Sequence, residues 1–346
     1  MKTRWLVVLL LFGLAAFPAL AQDNNMLTLV THDSFNVSES VLTAFEAETG
    51  IRVEILRGGD AGTVLNQSIL SKSNPLGDVL FGVDNTFLGR ALDEDLFVPY
   101  ESPLLDSVPE ALRLDAEFRV TPIDYGDVCL NYDIAYFEKN DLPLPASLQD
   151  LTRPEYKGLL VVQNPATSSP GLAFLLATVS VFGTEGDYTY LDFWADLVAN
   201  DVLVTEGWED AYFGQFTAGS GGGTRPLVVS YASSPPFTIQ EETGQPTTGS
   251  ITADDTCFRQ IEFAGILRGS DNPEAAQMWI DFMLGPAFQE DLPMQMYVFP
   301  ANQNAALPDE FAQFAAIPEN PAVVPFEDIN AGREEWIRAW TEVVLR

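Results

Sequence analysis

Along the chain, short apolar runs alternate with amphipathic segments. "LTLVT" (27–31) leads into "ESVLTAFEAETG" (39–50), where Val41, Leu42 and Phe45 fall on one helical face and Gly50 supplies a C-terminal stop, and "IRVEIL" follows. This is a βαβ pattern. It recurs as "DVLFGV" with "DNTFLGRALDEDLF", as "GLLVVQ" before a helix opening at Ser169-Pro170, and as "DVLVT", "WEDAYFGQF" and "PLVVSY". The alternation predicts an α/β fold of mainly parallel sheets with helices on both faces.

Two strand-like segments break the rhythm. "RVTPIDYGDVCLNYD" (119–133) follows a Pro-rich irregular stretch, and "DDTCFRQIEFAGILRGS" (254–270) precedes the helix pattern "NPEAAQMWIDFMLGPAF". Both read as crossovers between two lobes, with lobe one over 22–123 and 260–325 and lobe two over 124–259. Closure is expected about residues near 124–127 and 260–264. "SGGGTRP" (220–226) reads as a surface turn because it leads straight into a strand. The C-terminal segment 326–346 spaces Trp336, Ile337, Trp340 and Val343 at helical intervals, so it is expected to dock by an apolar face.

The first residues change the setting. Lys2 and Arg4 precede an apolar stretch that ends in Ala19-Leu20-Ala21, a small-x-small cleavage pattern, so residues 1–21 read as a secretory signal cleaved after Ala21. Gly13 and Pro18 interrupt the stretch and argue against a retained anchor, and Gln22 rather than Cys at the new N-terminus argues against lipidation. A periplasmic, monomeric protein of 325 residues follows, long enough for two domains. Loss of Lys2 and Arg4 takes the formal charge from −33 to about −35. Such acidity repels nucleic acid and suits a cationic or zwitterionic ligand, although it also serves solubility. Cys129 and Cys257 lie in an oxidising compartment and fall on the two crossovers. They form either a disulfide stapling the hinge or two buried thiols.

Catalytic chemistry finds little support. "THDSF" (31–35) holds the residue types of a hydrolase triad, but neighbours on a strand point to opposite faces, and His32 is the only histidine. A serine hydrolase would need Ser168 or Ser169 as nucleophile with His32 arriving from the other lobe. No His/Cys/Glu spacing marks a transition-metal site, and no cofactor is expected. Tyr125, Tyr132, Tyr212 and Tyr231 keep a tyrosine-ligated ferric ion conceivable.

Loops at the carboxyl ends of strands remain, where open α/β sheets place ligands. "RGGDAGT" and "NPATSSPG" feed helices, whose N-termini hold anions or polar tails. "TEGWEDAY" and "YASSPP" supply Trp208 and Tyr231, whose ring faces attract cations. Each has a plainer use: Ser168 or Ser169 as a helix cap, Trp208 as core with Tyr212 and Phe216, Gly58 and Gly59 as a turn. Together they suit a cationic ring with a hydroxyl or phosphate tail, with Ser168 the ligand contact and Ser169 the cap.

In these segments the chain resembles the thiamine-binding periplasmic proteins, the substrate-binding components of thiamine ABC transporters. "LTLVTHDSF", "GDAGTVLN", "DVLFGVDNTFL", "DYG", "SSPGLAFLL", "EGWEDAY", "VVSYASSP" and "MWIDFMLGPAFQ" stand in the family's order and spacing over nearly the whole mature length. The resemblance implies a two-lobed periplasmic binding protein of type II that captures thiamine, or its mono- or diphosphate, without catalysis and delivers it to a membrane-embedded ABC permease. It implies ligand contacts at Asp60, Ala61, Ser168, Ser169, Trp208, Tyr231, Ala232, Ser233 and Ser234, with His32, Asp33 and Phe237 as further contacts. Ala61 stands where the family has Gly, and His32 and Phe237 stand where tyrosines are expected. A tryptophan expected after "DSF" has no counterpart in "NVSESV". The same scaffold carrying a polyamine or ferric ion is the alternative.

Overall fold

The computed structural model describes residues 25–219 and 222–346. The expected signal segment and its cleavage after Ala21 lie outside the described residues, as do positions 220 and 221 of the expected turn.

Lobe one begins with β1 (Met26–Thr31), α1 (Glu39–Thr49), β2 (Arg52–Arg57), α2 (Ala61–Leu70), β3 (Val79–Asp84), α3 (Leu88–Asp93) and the short β4 (Phe97–Val98). The first crossover is β5 (Thr121–Asp133). Lobe two follows with α4 (Ile134–Lys139), β6 (Leu160–Gln163), α5 (Ser169–Phe182), α6 (Tyr190–Ala199), β7 (Leu203–Thr205), β8 (Leu227–Tyr231) and β9 (Thr248–Ile251). The chain returns on β10 (Phe258–Leu267) through α7 (Pro273–Leu284), α8 (Pro286–Gln289), α9 (Leu292–Gln295), β11 (Phe299–Pro300) and α10 (Asp309–Phe314) to α11 (Phe326–Val344).

Local chemistry sets the ends of these elements. Gly50 closes α1 at φ +74°, a left-handed turn that costs glycine little. Thr189 and Asp192 form a reciprocal capping box on α6. Within each lobe the strands are parallel, β1 with β2 and β3, and β6 with β7 and β8.

The crossovers run antiparallel to each other and to their neighbours, which joins everything into the order β2-β1-β3-β10-β5-β8-β6-β7. Length explains this. A 13-residue strand such as β5 extends about 40 Å, so its first half pairs in lobe one and its second half with β8 and β9 in lobe two.

Cys129 and Cys257 form the disulfide across these crossovers, both fully buried. One expectation changes. "WEDAYFGQF" does not continue as an ordinary amphipathic helix: Asp210–Gln215 winds as a π-helical turn, which buries both Tyr212 and Phe216 while placing Tyr212 against the Trp208 ring. The C-terminal segment docks by its apolar face, as its spacing predicts. Trp340 packs edge-on against Trp194 of α6 at 5.4 Å, while Arg333 lies 5.1 Å over Phe87 at the start of α3, so α11 spans the backs of both lobes. Among the described residues no helix is long and apolar enough to cross a membrane.

Candidate functional site

The strand ends of the two lobes face one another across a cavity of about 320 Å³, within the range of small-molecule sites. On the lobe-one side, Asp60 follows β2 and opens α2. Its Oδ1 accepts the Ala61 N–H at 2.7 Å, and its Oδ2 accepts the Trp208 N–H of the opposite lobe at 2.9 Å. Burial raises the Asp60 carboxyl pKa against the opposing pull of those two N–H groups. The Gly62 N–H donates to the Thr167 carbonyl at 3.0 Å, a second bond between lobes. A Cβ on Gly62 would stand 2.8 Å from that carbonyl oxygen, so the close approach needs glycine. Ser34 Oγ donates to Glu209 Oε1 at 3.0 Å, and Phe237 meets Tyr297 edge-on at 5.1 Å. The lobes are therefore latched together around the cavity.

On the lobe-two side the walls are aromatic. The Trp208 ring stacks on Tyr212 at 4.8 Å and 20°, meets Phe213 edge-on at 5.4 Å, and donates its Nε1–H to Ser230 Oγ at 3.0 Å. Tyr231 ends β8 and donates its hydroxyl to Gln260 Oε1 at 3.3 Å. Its ring lies where a Cβ on Gly126 would stand, 2.9 Å away, so the "DYG" glycine makes room for it. At the start of α5, Ser169 lines the cavity with a buried hydroxyl that has no partner. The floor is acidic: Glu262 of β10 reaches the cavity, and His32 Nε2 lies 3.4 Å from its Oε1. Burial lowers the His32 pKa, but Glu262, with Asp60 and Asp33 beyond it, raises it further, so the net direction is up.

Asp60, Ala61, Ser169, Trp208, Tyr231 and Ser234 thus line one cavity together with His32, Asp33 and Phe237. Ser168, Ala232 and Ser233 do not. Because the helix begins at Ser169, Ser168 occupies the cap position with extended backbone at φ −120°, ψ 129°, which reverses the division expected between the two serines. Its hydroxyl makes no cap bond; it stands near enough to Asp60 to lower that carboxyl's pKa without hydrogen-bond geometry. Ala232 packs on the Cys129–Cys257 bridge and Ser233 is fully buried. The Asp60–Ala61 backbone, expected to hold a ligand tail, has its Ala61 N–H committed to Asp60.

Sequence reasoning missed Arg57, Phe213, Gln260, Glu262 and the segment 295–298; Tyr212, considered both as core and as a metal ligand, is fully buried and still borders the cavity. Glu262 carried a signal, an acid within the apolar run "CFRQIEFAGIL". Tyr297 takes a left-handed backbone at φ +56°, which no local sequence feature announces. Of the four tyrosines considered as metal ligands, Tyr125 stacks on Phe299 and Tyr132 meets Phe137 edge-on, both away from the cavity lining.

Residues 74–319 match the family described as bacterial extracellular solute-binding protein. Over 353 aligned positions, covering both chains entirely, the sequence is 31% identical to the thiamine-binding periplasmic protein of Salmonella typhimurium. It is 31% identical to that of Escherichia coli over 328 positions, 93% of this chain and 94% of the other. A solved structure described as a periplasmic thiamin binding protein superposes with a TM-score of 0.80 at 30% identity, covering 93% of this chain and 96% of that one.

Proposed function

Because this chain belongs to the bacterial extracellular solute-binding proteins and is related end to end to their thiamine-binding periplasmic members, we propose that it captures thiamine in the periplasm and hands it to a membrane-embedded ABC permease. The mature protein begins at Gln22, acts as a monomer and catalyses nothing. His32 Nε2 faces Glu262, not a serine.

One observation carries the reading: the interlobe cavity joins an aromatic wall to an acidic floor, the combination an aromatic cation requires. Trp208, backed by Tyr212, and Tyr231 flank the rings. The hydroxyethyl or phosphate tail runs to the Ser169 hydroxyl at the N-terminus of the 14-residue α5, where the helix dipole favours oxygen and negative charge. Arg57 lines the same cavity and offers a phosphate its cation. Closure traps the ligand through the Asp60 to Trp208 and Gly62 to Thr167 bonds, and the permease reads the closed pair of lobes.

Calorimetric titration of the mature protein with thiamine, its mono- and diphosphate, spermidine and ferric ion tests this. Heat with a thiamine form, and tighter binding of it than of spermidine or ferric ion, is the expected result. No heat with any thiamine form at micromolar protein would sink the proposal. The ferric alternative would rest on Tyr212 and Tyr231, the two of the four tyrosines that line the cavity, and the ferric arm of the titration tests it.

A further inference from the structure

Three carboxylates stand abreast where the sheets of the two lobes join. Glu262 on β10 pairs in register with Asp84 at the end of β3 on one side and with Asp124 on β5 on the other. Directly paired residues of antiparallel strands project to one face, so the acids form a row across three strands. Asp84 and Asp124 are wholly buried. Glu262 alone of the three reaches the cavity.

Among the described residues, basic groups reach this row's surroundings at two places, His32 at Glu262 and Arg333 near Asp84. Glu262 is faced by Asp84 from β3, Asp124 from β5, His32 from the segment after β1 and Tyr231 from the end of β8, with Asp60 at the start of α2 beyond His32 and Tyr231; Arg333 of α11 approaches Asp84 from behind. Asp84 Oδ1 accepts the Thr86 and Phe87 N–H groups and the Thr86 hydroxyl, while its Oδ2 accepts nothing. Neither oxygen of Asp124 receives a hydrogen bond, and strand register sets the side chain beside Glu262, so two adjacent carboxyls, one of them wholly buried, repel as a charged pair and favour a proton on Asp124. Burial, then the Glu262 charge, push the Asp124 carboxyl well above the usual range, and burial takes Asp84 up to about 7. A second feature of the same wall points to a ligand. His32, 7% exposed, lines the cavity and sets Nε2 3.4 Å from Glu262 Oε1, an ion-pair contact short of hydrogen-bond geometry that leaves room for a donor or acceptor from the cavity. Gly82 keeps space for this ring, since a Cβ there would stand 2.2 Å from His32 Cδ2.

We infer that Glu262 accepts the positive edge of the ligand and that capture exchanges charge: the organic cation enters at Glu262, and the proton that buried Asp124 holds beside it leaves to bulk solvent. This rests on the thiamine reading above. One O–H bond of the acid pair breaks, no bond to the ligand forms, and the cation takes over the neutralising role of the proton. Binding therefore weakens in acid, because protons compete for the same carboxylates.

The test is titration of the mature protein with thiamine at pH 7 in phosphate and in Tris, whose ionisation enthalpies differ widely. The expected result is about one proton released per thiamine bound, with affinity falling by up to tenfold per pH unit below neutrality. Asp124→Asn should bring the released proton to near zero and flatten the pH dependence, and Glu262→Gln should weaken binding at least tenfold. Thermal melts report whether each variant folds. If Glu262→Gln does not, the wild-type proton count and Asp124→Asn decide. Buffer-independent heat from wild-type protein that binds thiamine, or an unchanged proton count in Asp124→Asn, overturns the inference and leaves the thiamine reading standing. Absence of heat with every thiamine form overturns both.

Discussion

Trp208 divides its ring between the protein and the cavity, and substitution separates the two uses. Its backbone N–H bond to Asp60 survives any side-chain change except proline. The ring itself is half-buried and holds three attachments, the stack on Tyr212, the edge contact with Phe213 and the Nε1–H bond to Ser230. Trp208→Phe keeps a ring on Tyr212 and loses the hydrogen bond. Ser230 retains Ser234 at 3.1 Å, so no hydroxyl is orphaned, and the cost to stability is about 0.5 kcal/mol, the low end for a hydrogen bond. Trp208→Ala removes both aromatic contacts as well. At about 0.5 to 1.5 kcal/mol each beyond area, and with only partial burial, the loss is about 2 to 3 kcal/mol, below that of a fully buried tryptophan. If the free part of the ring faces a thiazolium, Trp208→Ala also removes about 1 to 3 kcal/mol of affinity, which is roughly 5- to 150-fold, while Trp208→Phe costs a few-fold because a weaker ring face remains. Melting of the ligand-free variants reads the first quantity and calorimetry with thiamine the second. A folded Trp208→Ala protein that melts several degrees lower yet binds thiamine as tightly as wild type would refute the stacking argument and return Trp208 to packing alone.

Gly62→Ala places a methyl 2.8 Å from the Thr167 oxygen and 2.9 Å from the Phe87 ring, so closure should be hindered and thiamine affinity should fall about tenfold by calorimetry; unchanged affinity would mean the latch is dispensable. Replacing Cys129 and Cys257 together by Ala opens a loop with a sequence separation of 128, and should cost about 2 to 4 kcal/mol in thermal or urea unfolding while moving affinity little, since neither sulfur lines the cavity. An unchanged unfolding midpoint would show that strand pairing alone holds the hinge. Stability should also rise as pH falls from 7.5 to 5.5. Asp84, raised to about 7 by burial, and Asp60 and Asp124, raised likewise, bind protons more tightly folded than unfolded, so their contribution is present in mild acid and lost as pH climbs through the folded values. Raised His32 acts in the same direction. A melting temperature that falls over that interval, or an Asp84→Asn variant with the same pH profile as wild type, contradicts this.

The alternation of apolar runs with amphipathic segments sufficed for the α/β class, the two crossovers and the stop at Gly50, because periodicity and backbone preference act within a few residues. Cys129 and Cys257 were legible as a pair through their places on the two crossovers, though either outcome stayed open until the strands were seen side by side. The loops at strand ends pointed to Asp60, Ser169, Trp208 and Tyr231 by the same topological reasoning. Where those loops turn was not legible. Side chains at successive positions of a strand or turn face different ways, so a run read as one contact, Tyr231 to Ser234, delivers its two ends to the cavity and buries Ala232 and Ser233 behind it. A one-residue displacement of the α5 start likewise exchanged the places of Ser168 and Ser169.

Asp84, Asp124 and Glu262 show the boundary between the two kinds of information most plainly. Each interrupts or closes an apolar strand, and an acid in such a place is a local signal of function. Only strand register sets them side by side, since they are far apart in sequence and a slip of one residue in either crossover would send an acid to the opposite face. The bonds across the cleft belong to the same class. By itself the sequence determined which elements form and which residues end them, since those choices rest on short-range sterics, capping and hydrophobic period. Tertiary structure alone decided which acids stand side by side and which N–H groups the protein keeps for itself, because electrostatics and hydrogen bonds depend on distances between elements that no local pattern specifies.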